Sequence, residues 1–286
     1  MSQGRSNDPV RGSNRPPAFL GLDVGFAADR ETTGIAWRVC GQIGVAVAGT
    51  QWESRQAALP PDVRFDLAAV DAPILPASAE AELPRACEAV LCRRPFWNRC
   101  KPGRSHHGLG LEFRRAGAAA GVQIPAVLQR TLLPYGPMVL SNLPVVEAFP
   151  NGFLGVMLSD QVFEAGLKLR RGERFDWLYD RALATGCLSR VLLDLSWGDD
   201  RALREVEADH DTRARHEMRA ALVCLLTAGF AHAGSATVLG DPGSGWFWLP
   251  PTTLWAEWAR RGLDEAIACS RVRGFPQACT WRPLDL

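Results

Sequence analysis

The sequence predicts an α/β fold. It is expected to hold a mixed sheet, an antiparallel three-strand meander plus parallel strands, flanked by helices and carrying an inserted helical cap. Two observations carry this. Three short apolar runs each end in a carboxylate, at Asp23, Asp71 and Glu147. Segments of helical periodicity follow the last of them, the longest over Asp211–Ala233. Apolar runs of this length, bounded by glycine or proline, read as buried strands.

The first run is Ala18–Val24, with Asp23 at its exit and Gly25 two residues on. Glycine there permits a sharp turn and a close approach to the backbone. Thr32–Val39 and Ile43–Trp52 are β-rich and joined by a Cys-Gly-Gln turn, which completes the meander. Gln56–Asp66 is a polar connection. Leu67–Asp71 is the second run, and Pro73 cannot continue a central strand, so Asp71 also lies at a strand exit. Leu143–Glu147 is the third, and Pro150 and Asn151 then open a helix over Gly152–Leu158.

Glu173–Ala184 and Asp199–Ala208 read as helices, with a buried segment Val191–Leu195 between them. In the long helix, Glu217, Ala221, Cys224 and Ala228 share one face by i, i+3/i+4 spacing. Small residues there allow close packing on a sheet, and Glu217 would project beside the strand exits. Gly240–Gly245 lacks the Lys and Ser/Thr of a phosphate-cradling loop and reads as a turn. Trp246–Leu249 reads as one more strand, and Thr252–Ser270 as a last amphipathic helix with Trp255 and Trp258 in the core.

The chain has 286 residues, enough for a full core, and a net charge of +1. No apolar run approaches the ~20 residues that span a bilayer, so no membrane partner and a cytoplasmic location are expected. Residues 1–17 are polar and read as a disordered arm, 18–270 as one domain, and 271–286 as a tail without a functional reading. The eight cysteines are scattered and are expected to be reduced. The spacing of Cys87, Cys92, Cys100, His106 and His107 fits no compact zinc knuckle.

Residues 73–137 differ from the rest. Between positions 84 and 115, eight cations face two acids, a local charge of +6, with Phe96, Trp97 and Phe113 interleaved. Such a patch suits a polyanion, with charges for phosphates and rings for bases. The expected nucleic-acid contacts are Arg85, Arg93, Arg94, Arg99, Lys101 and Arg104. The type of nucleic acid and the oligomeric state are left open.

Strand-end acids Asp23, Asp71 and Glu147 with helical Glu217 form a candidate catalytic set. Hard divalent ions, Mg²⁺ or Mn²⁺, prefer carboxylate oxygens. Like charges at one rim are costly without a cation, which argues for one. Asp23, Asp71 and Glu217 are the expected metal ligands, and Glu147 a ligand or supporting acid.

This order of strands, acids and late helix resembles the ribonuclease H-like fold. More closely, the chain resembles domain-of-unknown-function family 429, described as predicted ribonuclease H-like nucleases. The matching pieces are Gly21–Gly25, Val70–Pro73, Arg85–Glu88, Lys101–Gly103, Val146–Pro150 and Ala220–Ala228. The resemblance implies metal-dependent phosphodiester hydrolysis. The late helix is also similar to the final helix of Holliday-junction resolvases, where His216 and Glu217 match but Ala220 replaces a second acid. Glu217 would then serve alone or with Asp211 or His216. Two alternatives follow: a non-catalytic nucleic-acid or protein-binding module of the same fold, suggested by Ala220, and an actin-like nucleotide-dependent phosphotransferase or ATPase, suggested by Asp23-x-Gly25 with Thr32 and Thr33.

Overall fold

A computed structural model describes residues 15–74, 84–100, 103–130, 144–164, 173–198, 200–209, 211–272 and 280–283. In chain order, β1 (Phe19–Asp23), β2 (Thr33–Val39) and β3 (Gln42–Ala48) form the meander, and α1 (Trp52–Ala57) leads to β4 (Leu67–Asp71). Then come α2 (Ala86–Leu91), α3 (Trp97–Cys100), α4 (Leu109–Gln123), β5 (Val145–Glu147), α5 (Pro150–Met157) and α6 (Asp160–Phe163). The rest is α7 (Glu173–Ala184), α8 (Cys187–Asp194), α9 (Arg201–Ala208), α10 (Thr212–His232), β6 (Thr237–Asp241), β7 (Gly245–Leu249), α11 (Glu257–Val272) and β8 (Thr280–Pro283).

Among the described residues one sheet has five strands in the order β3-β2-β1-β4-β5. β1, β2 and β3 pair antiparallel, while β1, β4 and β5 run parallel. The fold is therefore α/β with a mixed sheet flanked by helices, as the three carboxylate-ended runs predict.

The two faces of the sheet are covered differently. Phe19, Ala36, Ala69 and Val146 share a core with α10, whereas Leu20, Leu22, Ile35 and Val70 pack with Ala120, Ile124 and Val127 at and just beyond the end of α4. α10 lies directly on the strands because its contact residues are small. A Cβ on Gly21 would overlap the backbone at Ala221 and Leu225, and one on Gly34 would overlap Glu217 O. Burial of Leu222, Val223, Leu225 and Leu226 fixes the helix in place, at ~1.5–3 kcal/mol for each side chain of this kind. Its start is fixed too: Asp211 accepts hydrogen bonds from Arg213 N (2.8 Å) and Ala214 N (3.4 Å). Asp211 is thus a helix cap, and the expectation that it assists Glu217 is corrected.

Several other expectations are also corrected. The third meander strand ends at Ala48, and Trp52 already begins α1. Val191–Leu195 belongs to the end of α8, where Leu193 points to solvent. The predicted single strand at Trp246 is part of a second, antiparallel sheet in the order β7-β6-β8. Trp248 bridges Ala148, so this sheet continues from the β5 exit. The tail left without a reading supplies β8, and Trp281 Nε1 donates to Asp264 at 3.0 Å. Trp255 and Trp258 are buried as expected, each donating to a carbonyl, Pro250 O at 2.8 Å and Leu158 O at 2.7 Å.

Candidate active site

The parallel pairing of β1 and β4 places Asp23 opposite Asp71. In a parallel ladder, residues in register point to the same face, here the face covered by α10. Glu217 sits on that helix where it crosses Gly34, the β2 residue paired with Asp23. Three carboxylates therefore meet at one end of the sheet. Asp23 is buried, and Asp71 and Glu217 are half-buried. Among the described residues none of the three makes an ion pair.

Their proton affinities record the crowding. Burial, then the charges of Asp71 and Glu217, hold the Asp23 carboxyl well above the usual carboxylate range. Burial and the Glu147 charge push Asp71 up to about 7, with His216 opposing. Burial also raises Glu217. The side-chain contact between Asp23 and Glu217 raises Asp23 and lowers Glu217. Without a cation, this cluster relieves its repulsion by keeping a proton.

Glu147 lines the same cavity but is held differently. It is in register with Val70, one residue before Asp71, so its side chain leaves the opposite face of the sheet. There Arg85 grips both oxygens at 2.7 Å, and Arg85 Nε also donates to Glu88 at 2.9 Å. Glu88 in turn accepts from Ser105 N. Burial raises the Glu147 carboxyl and the guanidinium opposes that rise. The expectation that Arg85 is a free phosphate contact is corrected, because it is buried and committed to Glu147. Glu147 is likewise bound on both oxygens within the protein, which suits the supporting role among its two expected ones. The network pins α2 and the segment before α4 to the sheet.

A cavity of about 950 Å³ opens over the acids. Its floor includes Asp23, Asp71 and Glu217, and Leu109, Gly110 and Phe113 of α4 form part of its wall. Of the six expected nucleic-acid contacts, only Arg85 and Arg104 line it. Arg93 is half-buried with Nε toward Ser270 Oγ at 3.3 Å, and Arg94 is exposed away from the cavity. Arg99 is paired to Asp160 and stacked over Trp258 at 4.1 Å. Lys101 falls outside the described residues.

Other basic side chains take the place of these. Arg30, Arg174, Arg213 and His107 line the cavity, though they lie outside the predicted basic patch or carried no prediction within it. Their only signal in the sequence was charge, which does not report what lies across the fold.

His216 also lines the cavity, held by Nδ1 against Asp176 at 2.7 Å. Asp176 further accepts from Arg219, a buried guanidinium that also binds Asp180 and Glu207. This group joins α7, α9 and α10 and sets the rotation of the helix carrying Glu217. At the same end of β1, just past Asp23, Arg55 from α1 donates to Gly25 O (3.1 Å) and Thr33 Oγ1 (3.3 Å). A Cβ on Gly25 would overlap the Thr32 backbone, so glycine is needed there to let the chain close on itself.

The three uncompensated carboxylates are a donor set suited to a hard divalent ion. Among the described residues no three His, Cys, Asp or Glu side chains stand in a closed ligand set. The same holds for the cysteines, since Cys87 and Cys100 are separately buried free thiols. No helix among the described residues is long and apolar enough to cross a membrane. No family model, curated protein or solved structure matches this chain.

Proposed function

We propose that this protein is a metal-dependent nuclease of ribonuclease H-like fold that hydrolyses nucleic-acid phosphodiester bonds. One observation carries the reading: three carboxylates converge, none of them in an ion pair among the described residues, at the floor of a cavity lined by arginines. An acidic floor alone repels a phosphate. Cationic walls alone bind one but offer no chemistry. Together they suit a phosphodiester with divalent ions between it and the acids.

Asp23, Asp71 and Glu217 would hold Mg²⁺ or Mn²⁺. Bound there, such ions activate water and stabilise the leaving oxygen. The chain's own contribution is placement. The β1–β4 register fixes the two aspartates side by side. α10, seated on Gly21 and Gly34, brings Glu217 to them. Arg104, Arg174 and Arg213 draw the phosphate backbone to the cavity. Glu147 acts through Arg85, holding the cap in position. The strand order and the late acidic helix support the ribonuclease H-like assignment and the resemblance to family 429.

Ala220 gives one reason to keep a second reading, a binding module without turnover. It is buried in the cavity wall and adds no fourth acid. An actin-like phosphotransferase has less support. Thr33 is buried against Arg55, and the second sheet among the described residues is a three-stranded antiparallel one.

The test is cleavage of labelled DNA and RNA in Mn²⁺ or Mg²⁺, with Asp23→Asn as control. Metal-dependent cleavage lost in the variant, with its thermal melt retained, supports the nuclease. Equal cleavage by the variant would falsify it. Tight binding with no turnover selects the binding module.

A further inference from the structure

The cavity walls carry a second pattern that the acidic floor does not explain. Five large apolar side chains are exposed among the described residues, and three of them border this one cavity: Phe26 (42 %), Trp97 (39 %) and Leu109 (53 %). Isolated exposed apolar residues are ordinary, but a group gathered at one opening marks a binding surface. Phe26 is held edge-on by Phe113 at 4.9 Å, so its ring is fixed while remaining open to solvent.

Polar groups stand between these rings. Arg104, Arg174 and Arg213 line the cavity and make no ion pair among the described residues. Ser105 Oγ, Thr32 Oγ1 and Asn151 Oδ1 also line it and have no hydrogen-bond partner there. Ser105 is only 4 % exposed, so leaving its hydroxyl unpaired is costly unless a ligand takes it.

Size then narrows the occupant. At about 950 Å³ the space is at the upper end of small-ligand pockets, roughly 300–1,000 Å³. A duplex brings two backbones and a stacked core of base pairs, more than a space of this size encloses. A single strand has unstacked bases that can each lie on a ring while phosphates run between guanidinium groups.

We infer that the cavity takes a short single-stranded segment of nucleic acid, with Phe26 and Trp97 as stacking platforms and Arg104, Arg174 and Arg213 on its phosphates. This inference deepens the nuclease reading and rests on it for the cleavage step, but the binding stands on the walls alone.

The experiment uses the full chain with a fluorescein-labelled 15-nucleotide single strand and the matching 15-base-pair duplex. Anisotropy is read across a salt series, and products are read in Mn²⁺. The single strand is expected to bind at least about tenfold tighter. Phe26→Ala and Trp97→Ala should each weaken it by about tenfold without changing the salt slope, because stacking releases no counterions. Trp97→Phe should retain most of the affinity, which separates stacking from folding damage. Arg213→Ala should lower the salt slope by about one. Duplex bound and cut as well as the single strand overturns this inference and leaves the nuclease reading intact. Single strand bound but not cut overturns the nuclease reading and leaves this one. Neither bound overturns both.

Discussion

Two groups of buried acid stand at neighbouring strand ends and are treated oppositely. At the end of β5, Glu147 is gripped on both oxygens by Arg85. At the ends of β1 and β4, Asp23 and Asp71 stand beside Glu217, another acid, and neither makes an ion pair among the described residues. The chain can supply a buried guanidinium where structure needs one. Its absence from the Asp23 cluster therefore marks a charge deficit that something outside the chain is expected to fill. The difference separates a carboxylate paired inside the protein from carboxylates that are not, though Glu147, Asp23 and Asp71 all end apolar runs in the sequence.

The largest break in this comparison is removal of Arg85. Arg85→Met leaves Glu147 and Glu88 buried and unpaired, at a cost of about 3–5 kcal/mol in denaturant unfolding. Arg85→Met with Glu147→Gln should recover a large part of that. A loss under about 1 kcal/mol in the single variant would show that the pair does not hold the cap.

Next is the seat of α10. Gly34→Ala places a methyl against Glu217 O, and overpacking of this kind costs about 1–3 kcal/mol. Displacing Glu217 should also weaken metal binding, whereas Gly41→Ala, with open space around it, should leave metal binding unchanged.

The Asp23 cluster should also show itself in the pH dependence. Asp71 holds its proton to about pH 7 in the folded chain but releases it near the usual 3.8 when unfolded. The folded state therefore binds more protons between these values, and metal-free stability should fall as pH rises through that window. Asp71→Asn should flatten the fall and stabilise the metal-free protein at pH 8 by on the order of 1 kcal/mol. Saturating Mn²⁺ should reverse the sign, because the ion binds the deprotonated form. A metal-free melting temperature that rises with pH through this window would remove the argument for an uncompensated cluster. Smallest is the effect of the surface: Arg104→Ala should leave stability within about 0.5 kcal/mol while lowering the salt dependence of nucleic-acid binding.

The parts legible in the sequence were those set by local pattern. Short apolar runs bounded by glycine or proline placed β1 and β4, a β-rich run placed β2, and small residues spaced along α10 announced its contact with the sheet. Asp23, Asp71 and Glu217 were legible for the same reason, since a strand exit or helix face fixes where a side chain goes. Arg85 was not. Its partner is 62 residues away on another element, and a count of charges cannot distinguish a buried pair from a free cation. Arg174 and Arg213 were missed by the same reasoning in reverse. They come to the cavity through the packing of α7 and α10, far from the basic segment in sequence. The second sheet escaped because β6 contains a glycine and ends in an Asx turn at Asp241, and β8 is short and exposed, so neither shows alternation.

The most direct test of the account is calorimetric titration of Mn²⁺ into the metal-free protein and into Asp23→Asn. Removing one charge from the cluster while retaining its shape should abolish or weaken binding at least about tenfold, with the fold retained by circular dichroism. Binding that is equal in the two proteins, or absent from both, would contradict the claim that Asp23, Asp71 and Glu217 are an unfilled cation site.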